Sequence, residues 1–300
     1  MNRCLRSWFF CSAVLTLTLL ALGQGPNPQT GNVGQSRPLG TEADRLEFDL
    51  YRGYLIVVRG SAGGLNHLNL LVDTGADPTI LDQKLARRLQ LQRRDARIAL
   101  LNNTVASESA VLPELVVGPL RTSKLPVLVQ DLSFLEKGLQ VRIDAVIGLD
   151  ALGQNGFTID YTSKKIYFGP PATMPFSAIL QFVHGFVTVD VNLNGQPFRL
   201  LVDTGASSLM LFATRIQDQI PDLQLKNLKL SANLAGGFER KQVLLHDVSI
   251  GNVKLGQTAA FVVNDQEDPG RDFDGLISLP SLGFKAVAFD FERGVIGWSR

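Results

Sequence analysis

The heptapeptide LLVDTGA stands at residues 70–76 and again, without a change, at residues 200–206. Each copy is an apolar run that ends in an aspartate and is followed by Thr-Gly-Ala. This pattern predicts a buried strand that delivers one carboxylate into a tight turn. A buried carboxylate is costly unless it is hydrogen-bonded or used in chemistry. The repeat therefore predicts two equivalent carboxylates, Asp73 and Asp203, 130 positions apart.

Other landmarks of the chain keep the same offset. They are Asp144 with Asp274, Gly153 with Gly283, and Asp160 with Asp290. A constant offset over this length predicts an internal duplication. Strand and turn signals dominate both halves, and short helices are predicted only at residues 80–91 and 209–220. We expect two homologous lobes, at residues 45–172 and 173–300.

The first residues differ from the rest of the chain. Arg3 and Arg6 precede an apolar stretch at residues 8–22 that ends in small residues, which is the layout of a secretory signal peptide at residues 1–23. Residues 24–44 are rich in Gly, Pro, Asn and Gln and predict a disordered linker. We expect an exported protein, periplasmic or extracellular. The alternative is retention by an uncleaved N-terminal anchor.

Cysteine usage limits the chemistry. The two cysteines, Cys4 and Cys11, both lie in the predicted signal peptide. A mature chain would then contain neither a disulfide nor a cysteine nucleophile.

Two equivalent aspartates can work as a pair. If the lobes pack about a pseudo-twofold axis, Asp73 and Asp203 lie side by side and share one proton. One carboxylate can then accept a proton from water while the other donates a proton to a substrate carbonyl. Such a pair can hydrolyse an amide without a covalent intermediate.

Three motifs carry a family resemblance: DTGA at residues 73–76, DTGAS at residues 203–207, and VIG at residues 146–148. With them the chain resembles the aspartic peptidases of the pepsin/retropepsin superfamily, as a tandem, single-chain retropepsin-like protein. The resemblance covers roughly residues 45–300. It implies an all-β fold of two homologous acid-protease β-barrel lobes related by a pseudo-twofold axis.

The resemblance also implies roles for individual residues. Asp73 and Asp203 would be the catalytic dyad of an aspartic endopeptidase that binds an extended polypeptide and needs no metal or cofactor. The second hairpin of each lobe would supply a flap. The implied supports of the dyad are Thr74, Gly75, Ala76, Thr204, Gly205 and Ala206, and the flap candidates are Asn103, Thr104, Gly236 and Gly237. The short connection between the lobes favours a monomer that forms an intramolecular pseudo-dimer over pairing with another chain.

Some residues depart from the family pattern. Ala76 and Ala206 stand where pepsin-like enzymes tend to carry serine, and a lost hydroxyl should raise the pKa of the dyad. We therefore expect a weakly acidic pH optimum. Ser278 replaces the glycine expected opposite Gly148, and the first flap tip lacks glycine, so we expect the second lobe to supply the mobile flap. Ser278 and the glycine-free first flap favour the alternative of a non-catalytic peptide-binding or scaffold protein on the same fold, and the intact pair of Asp-Thr-Gly motifs opposes it.

Composition argues against several other classes. The formal net charge of +1 gives no reason to expect a nucleic-acid partner, and no membrane partner is expected after signal removal. The three histidines, His67, His184 and His246, are scattered without metal-ligand spacing. The acidic stretch at residues 267–274 lacks the regular alternation of a calcium loop and is read as a solvated loop.

Overall fold

The computed structural model of the protein describes residues 9–10, 44–100, 104–153, 156–216, 226–233, 236–265 and 272–300. The predicted signal peptide and linker lie outside these residues, except for residues 9–10 and 44. Within the described part of the chain, no helix is both long enough and apolar enough to cross a membrane.

Strands account for most of the described chain, as predicted. In the first half they are β1 (Phe9–Phe10), β2 (Arg45–Tyr51), β3 (Leu55–Ala62), β4 (Leu65–Val72), β5 (Ile80–Asp82), β6 (Arg94–Ala99), β7 (Thr104–Val117), β8 (Leu120–Gln130), β9 (Ala145–Ile147), β10 (Phe157–Asp160) and β11 (Lys165–Phe168). The helices of this half are α1 (Gln83–Arg88), α2 (Ser133–Leu139) and α3 (Leu149–Leu152).

The second half repeats this order of elements. Its strands are β12 (Phe176–Val183), β13 (Phe186–Leu193), β14 (Gln196–Val202), β15 (Leu209–Phe212), β16 (Lys226–Asn233), β17 (Gly236–Ile250), β18 (Val253–Val263), β19 (Gly275–Ile277), β20 (Ala286–Asp290) and β21 (Val295–Ser299). The short α4 (Ala213–Ile216) and a 3-10 helix at Pro280–Leu282 complete it.

Strand pairing closes a ring in each half. In the first lobe the ring runs β3, β4, β9, β5, β8, β7 and back to β3. In the second lobe it runs β13, β14, β19, β15, β18, β17 and back to β13. The strands that carry the repeated heptapeptide, β4 and β14, each lie beside a parallel neighbour and are buried where they meet it. Burial on both faces explains why each strand ends in three successive apolar residues, Leu70–Val72 and Leu200–Val202.

A six-stranded antiparallel sheet joins the two lobes, in the order β2, β11, β10, β20, β21, β12. At its centre, Thr158 pairs with Ala288, its counterpart in the repeat. On either side of this pair, Phe157 faces Phe289 and Ile159 faces Val287. A twofold axis through the Thr158–Ala288 pair would exchange these two flanking pairs, because Phe157 and Ile159 have Val287 and Phe289 as their counterparts in the repeat. The predicted all-β fold of two repeated lobes is confirmed.

Both predicted helices began too early in the sequence, because their first residues form strands. Residues 80–82 form strand β5, and α1 begins only at Gln83, where the Asp82 carboxylate accepts the Lys84 N–H at 2.9 Å as an N-cap. In the second lobe, residues 209–212 form strand β15 before α4, and residues 217–220 lie outside the described residues. Both strands are wholly buried, and a short buried apolar run has no periodicity that separates strand from helix.

Candidate active site

The two repeated aspartates stand at the ends of β4 and β14. The Asp73 N–H donates to the carbonyl of Ile147 at 3.0 Å, and the Asp203 N–H donates to the carbonyl of Ile277 at 3.0 Å. Each carboxylate is therefore held where a buried strand leaves its parallel neighbour. Both residues are fully buried.

Backbone N–H groups of the turns bind one oxygen of each carboxylate. Gly75 N–H donates to Asp73 Oδ1 at 2.8 Å, and Gly205 N–H donates to Asp203 Oδ1 at 2.7 Å. Gly205 also lies against the opposite aspartate, because a Cβ placed on it would stand 2.7 Å from Asp73 Oδ2. Only glycine permits this approach, so the two loops meet across the lobe interface.

Two threonines lock the loops together. Thr74 N–H donates to Thr204 Oγ1 at 3.0 Å, and Thr204 N–H donates to Thr74 Oγ1 at 3.1 Å. Each hydroxyl in turn donates across the interface, from Thr74 to the carbonyl of Val202 at 2.7 Å and from Thr204 to that of Val72 at 3.1 Å. These four buried hydrogen bonds have the reciprocity of a twofold axis.

The electrostatics of the pair follow from this burial. Burial raises the pKa of Asp73, and the contact with the Asp203 carboxyl and the N–H bonds of the glycines partly oppose that rise. Burial, together with the negative charge of Asp73, raises the pKa of Asp203 well above its ordinary value. Asp73 Oδ2 and Asp203 Oδ2 are buried, and neither is bonded by an N–H group of its own turn. The pair can therefore hold one shared proton, and each carboxyl keeps one oxygen that its own turn does not occupy.

The alanines of the two motifs are fully buried and close the turns through their backbones. Ala76 N–H donates to the carbonyl of Asp73 at 3.2 Å, and Ala206 N–H donates to that of Asp203 at 3.4 Å. Neither side chain can donate a hydrogen bond to the dyad. This fits the sequence-based argument for raised pKa values.

The two loops rest on different supports. In the first lobe Gly148 lies directly beneath the loop, and a Cβ there would stand 2.3 Å from the carbonyl oxygen of Ala76. Leu149 N–H donates to that same oxygen at 3.0 Å. In the second lobe Ser278 occupies the equivalent position, fully buried, and its hydroxyl has no hydrogen-bond partner among the described residues.

Sequence reasoning missed two polar residues beneath the first loop, Thr79 and Asp150. The Thr79 hydroxyl accepts the Gly148 N–H at 3.1 Å and donates to Asp150 Oδ1 at 2.7 Å. The sequence contained one available signal, since the repeat places Leu209 and Pro280 at the equivalent positions. Polar residues in the first copy that are apolar in the second indicate a feature that only the first lobe has.

Asp77 was also missed as a contact between the lobes. It follows the first motif, is half-buried, and lies against the turn between β12 and β13, where a Cβ on Gly185 would stand 2.0 Å from Asp77 Oδ2. The other lobe has no such contact: Ser207 stands 130 positions after Asp77, and a Cβ on Gly53, in the corresponding turn between β2 and β3, would meet nothing within 4 Å.

The flap candidates lie in the second hairpin of each lobe. Thr104 is the first residue of β7, which pairs with β6, and Asn103 lies outside the described residues. Gly236 and Gly237 were predicted at the hairpin tip and instead begin β17, where they pair with Asn233 and Ala232 of β16. In the described ranges no group of three or more His, Cys, Asp or Glu side chains is arranged to hold a metal ion.

Comparison with known proteins places both loops in regions of recognised similarity. A family model described as aspartyl protease matches residues 58–151 and 189–280, which together are more than half of the chain and include both aspartates. No curated protein matches the chain in sequence. Among solved structures, basic 7S globulin from soybean is similar at 13% identity and a TM-score of 0.45, over 85% of this chain and 94% of that one.

Proposed function

Because this chain belongs to the aspartyl protease family, we propose that it is an aspartic endopeptidase in which Asp73 and Asp203 activate a water molecule. The observation that carries the proposal is the pair of fully buried carboxyls, each with one oxygen fixed by a glycine N–H and one oxygen left for chemistry. A pair kept only to cap its own turns would not need two such oxygens at the lobe interface.

The mechanism uses the single shared proton of the dyad. The two carboxyls titrate as a pair, so one holds this proton and the other is the carboxylate; the following steps have the proton on Asp203, and the exchanged assignment is equivalent. Asp73 accepts a proton from water while the water oxygen attacks the scissile carbonyl carbon, and Asp203 donates its proton to the carbonyl oxygen. When the tetrahedral diol collapses, Asp73 passes its proton to the leaving nitrogen and Asp203 recovers one from a diol hydroxyl. The dyad ends in its starting state, so no covalent intermediate forms.

The other site residues take supporting roles in this proposal. Thr74 and Thr204 hold the loops at a fixed separation, and the two glycines and two alanines let backbone groups approach the carboxylates. The hairpins β6–β7 and β16–β17, whose second strands begin at Thr104 and at Gly236, would close over an extended polypeptide. Residues 1–23 would direct export, with residues 45–172 and 173–300 as the two lobes of a monomer.

The test is hydrolysis of casein and of a peptide library by the chain between pH 2 and pH 7. We expect cleavage with a weakly acidic optimum, and loss of cleavage in Asp73→Asn and in Asp203→Asn. Asp131→Asn is the matched control, because Asp131 is an exposed aspartate of the first lobe. Cleavage that survives both dyad changes contradicts the mechanism, and an optimum near pH 2 contradicts the argument from the alanines.

A second candidate function is peptide binding without catalysis. The observation that favours it is Ser278, whose buried hydroxyl stands where the first lobe has a glycine. A folded chain that binds peptides, yet cleaves none at any pH in this range, would support this second function over the first.

A further inference from the structure

Beneath the first loop, Gly148, Thr79 and Asp150 form a hydrogen-bonded cluster. Its last member, the Asp150 carboxylate, accepts three hydrogen bonds. Asp150 Oδ2 accepts the Thr79 N–H at 2.9 Å, and Asp150 Oδ1 accepts the Thr79 hydroxyl at 2.7 Å and the Ala151 N–H at 2.9 Å. Three donors converge on two oxygens, and an ionised carboxylate is the side chain of this size that accepts from all of them. Burial raises the pKa of Asp150, and the hydrogen bonds from Thr79 and Ala151 oppose that rise by stabilising the ionised form. An amide in its place would turn an N–H₂ group toward one of the donors.

This carboxylate fixes the direction of the next hydrogen bond. Because the Thr79 hydroxyl gives its proton to Asp150, its lone pairs remain for the Gly148 N–H, at 3.1 Å. Thr79 is fully buried, so no solvent competes for this hydroxyl. The result is a relay of fixed polarity, from the Gly148 N–H through the Thr79 hydroxyl to Asp150.

The relay reaches the Asp73 loop through Gly148. The carbonyl of Ala76 occupies the space that a Cβ on Gly148 would fill, and it accepts the N–H of the next residue, Leu149. Ala76 in turn closes the Asp73 turn through its own N–H. A shift of Gly148 would therefore shift the backbone that carries the Asp73 carboxylate.

The second lobe has no such relay. At the equivalent positions Leu209 has no hydroxyl, Pro280 has no carboxylate, and the Ser278 hydroxyl has no partner among the described residues. Two otherwise identical loops are therefore supported differently, one by an ordered polar chain and the other by apolar packing.

We infer that Asp150 is a positioning residue, which acts through Thr79 and Gly148 to hold the Asp73 carboxylate against Asp203. This inference deepens the proposed function and rests on it for the activity readout. The carboxylate of Asp150 lies near that of Asp77, and its negative charge helps to raise the pKa of this half-buried carboxyl.

The relay predicts how the dyad changes when a member is removed. In Thr79→Val, which keeps the shape and deletes the hydroxyl, and in Asp150→Asn, which keeps the size and deletes the charge, the Asp73 loop loses its anchor. A misplacement of about 1 Å can cost roughly 100-fold in rate, so we expect kcat to fall by about 10- to 100-fold with little change in KM. The pH–rate profile should shift as well, because weaker contact between Asp73 and Asp203 weakens their coupled titration. Thr79→Ser, which restores the hydroxyl, should recover most of kcat.

The matched control is Thr158→Val in the full chain. Thr158 is another buried threonine, whose hydroxyl accepts the Ala172 N–H at 3.3 Å in the sheet between the lobes. Thr158→Val should leave kcat and the pH–rate profile as they are in the unaltered chain. The inference is overturned if Thr79→Val and Asp150→Asn, while folded, keep the kcat and pH profile of the unaltered chain, or if Thr79→Ser fails to recover activity.

A second measurement does not need catalysis. Carbon-13 NMR titration of the aspartate carboxyls, with Asp73→Asn and Asp203→Asn for assignment, follows the apparent pKa values of the dyad directly. We expect the higher of the two to fall in Thr79→Val and in Asp150→Asn and to stay in place in Thr158→Val. If the chain cleaves nothing, this titration still supports the positioning role when the value moves and overturns it when the value does not.

Discussion

Asp77→Asn is the change whose effect on stability can be worked out most fully. The Asp77 carboxyl lies against Gly185 of the other lobe and near Asp150. Burial and the negative charge of Asp150 raise its pKa from 3.8 to about 6. Below pH 4 this carboxyl is protonated in both the folded and the unfolded chain. Between about pH 4 and pH 6 the folded chain holds a proton that the unfolded chain releases, so the free energy of unfolding falls as the pH rises.

The size of this effect follows from the pKa change. One pKa unit corresponds to about 1.4 kcal/mol, so a rise of roughly two units would cost about 3 kcal/mol at pH 7. Because Asp77 is only half-buried, solvent screening should reduce this to about 1–1.5 kcal/mol. Asparagine carries no charge at any of these pH values. Relative to the unaltered chain, Asp77→Asn should therefore gain about 1–1.5 kcal/mol between pH 4 and pH 7.

The assay is urea unfolding of both chains at pH 4, 5, 6 and 7. The dyad carboxyls are present in both chains, so their own contribution cancels in the difference. Asp131→Asn is the control, because hydrogen bonds from Ser133 lower the pKa of Asp131 below 3.8, so its contribution changes with pH only below about pH 4 and its removal should add almost no trend between pH 4 and pH 7. A difference between Asp77→Asn and the unaltered chain that stays constant from pH 4 to pH 7 would refute the reasoning.

Five further variants test the packing of the site by chemical denaturation. Thr74→Val and Thr204→Val each remove two buried interlobe hydrogen bonds, so each should lower the free energy of unfolding by about 2–4 kcal/mol, and the two losses should be similar. A loss under about 1 kcal/mol in either variant would contradict the reciprocal geometry. Gly148→Ala places a Cβ 2.3 Å from a loop carbonyl and should cost about 1–3 kcal/mol, with a neutral result counting against this close approach. Gly185→Ala and Gly53→Ala both put alanine at positive φ, which costs about 1–2 kcal/mol, but only Gly185→Ala also meets a carboxylate and should be the worse of the two; equal losses would contradict that contact.

The sequence predicted the parts of the fold that local patterns encode. The repeated heptapeptide marks two strand ends, and burial of the last three residues of β4 and of β14 makes each end recognisable as a short apolar run. The strand β12 was missed because its side chains alternate poorly, with Ile179 and Phe182 exposed, and its position depends on pairing with both β13 and β21. Helices α2 and α3 were missed because each has only about one to two turns, too short for a clear period.

The candidate site was predictable only as far as the repeat carried it. Asp73, Asp203 and their threonines follow from the motifs, and the structure brings all four to the lobe interface. Thr79 and Asp150 are 71 positions apart and meet only because β5 and β9 are neighbours. Asp77 and Gly185 meet only after the lobes have packed. No local pattern encodes either contact, so both required the folded chain.

One relay can serve both aspartates, because the loops are not independent. The Thr204 N–H and hydroxyl bond to Thr74 and to Val72, which flank Asp73, so the second loop is tied to the backbone that the relay anchors. Apolar support beneath Asp203 then costs little positional accuracy, since the four interlobe hydrogen bonds transmit the position of the first loop. A duplicated chain can lose the relay from one lobe and keep it in the other, as the change from Thr79 and Asp150 to Leu209 and Pro280 shows. The expectation that the second lobe supplies the mobile flap remains a prediction. It is compatible with the difference in support between the lobes, because the first lobe has the ordered polar support and the second does not.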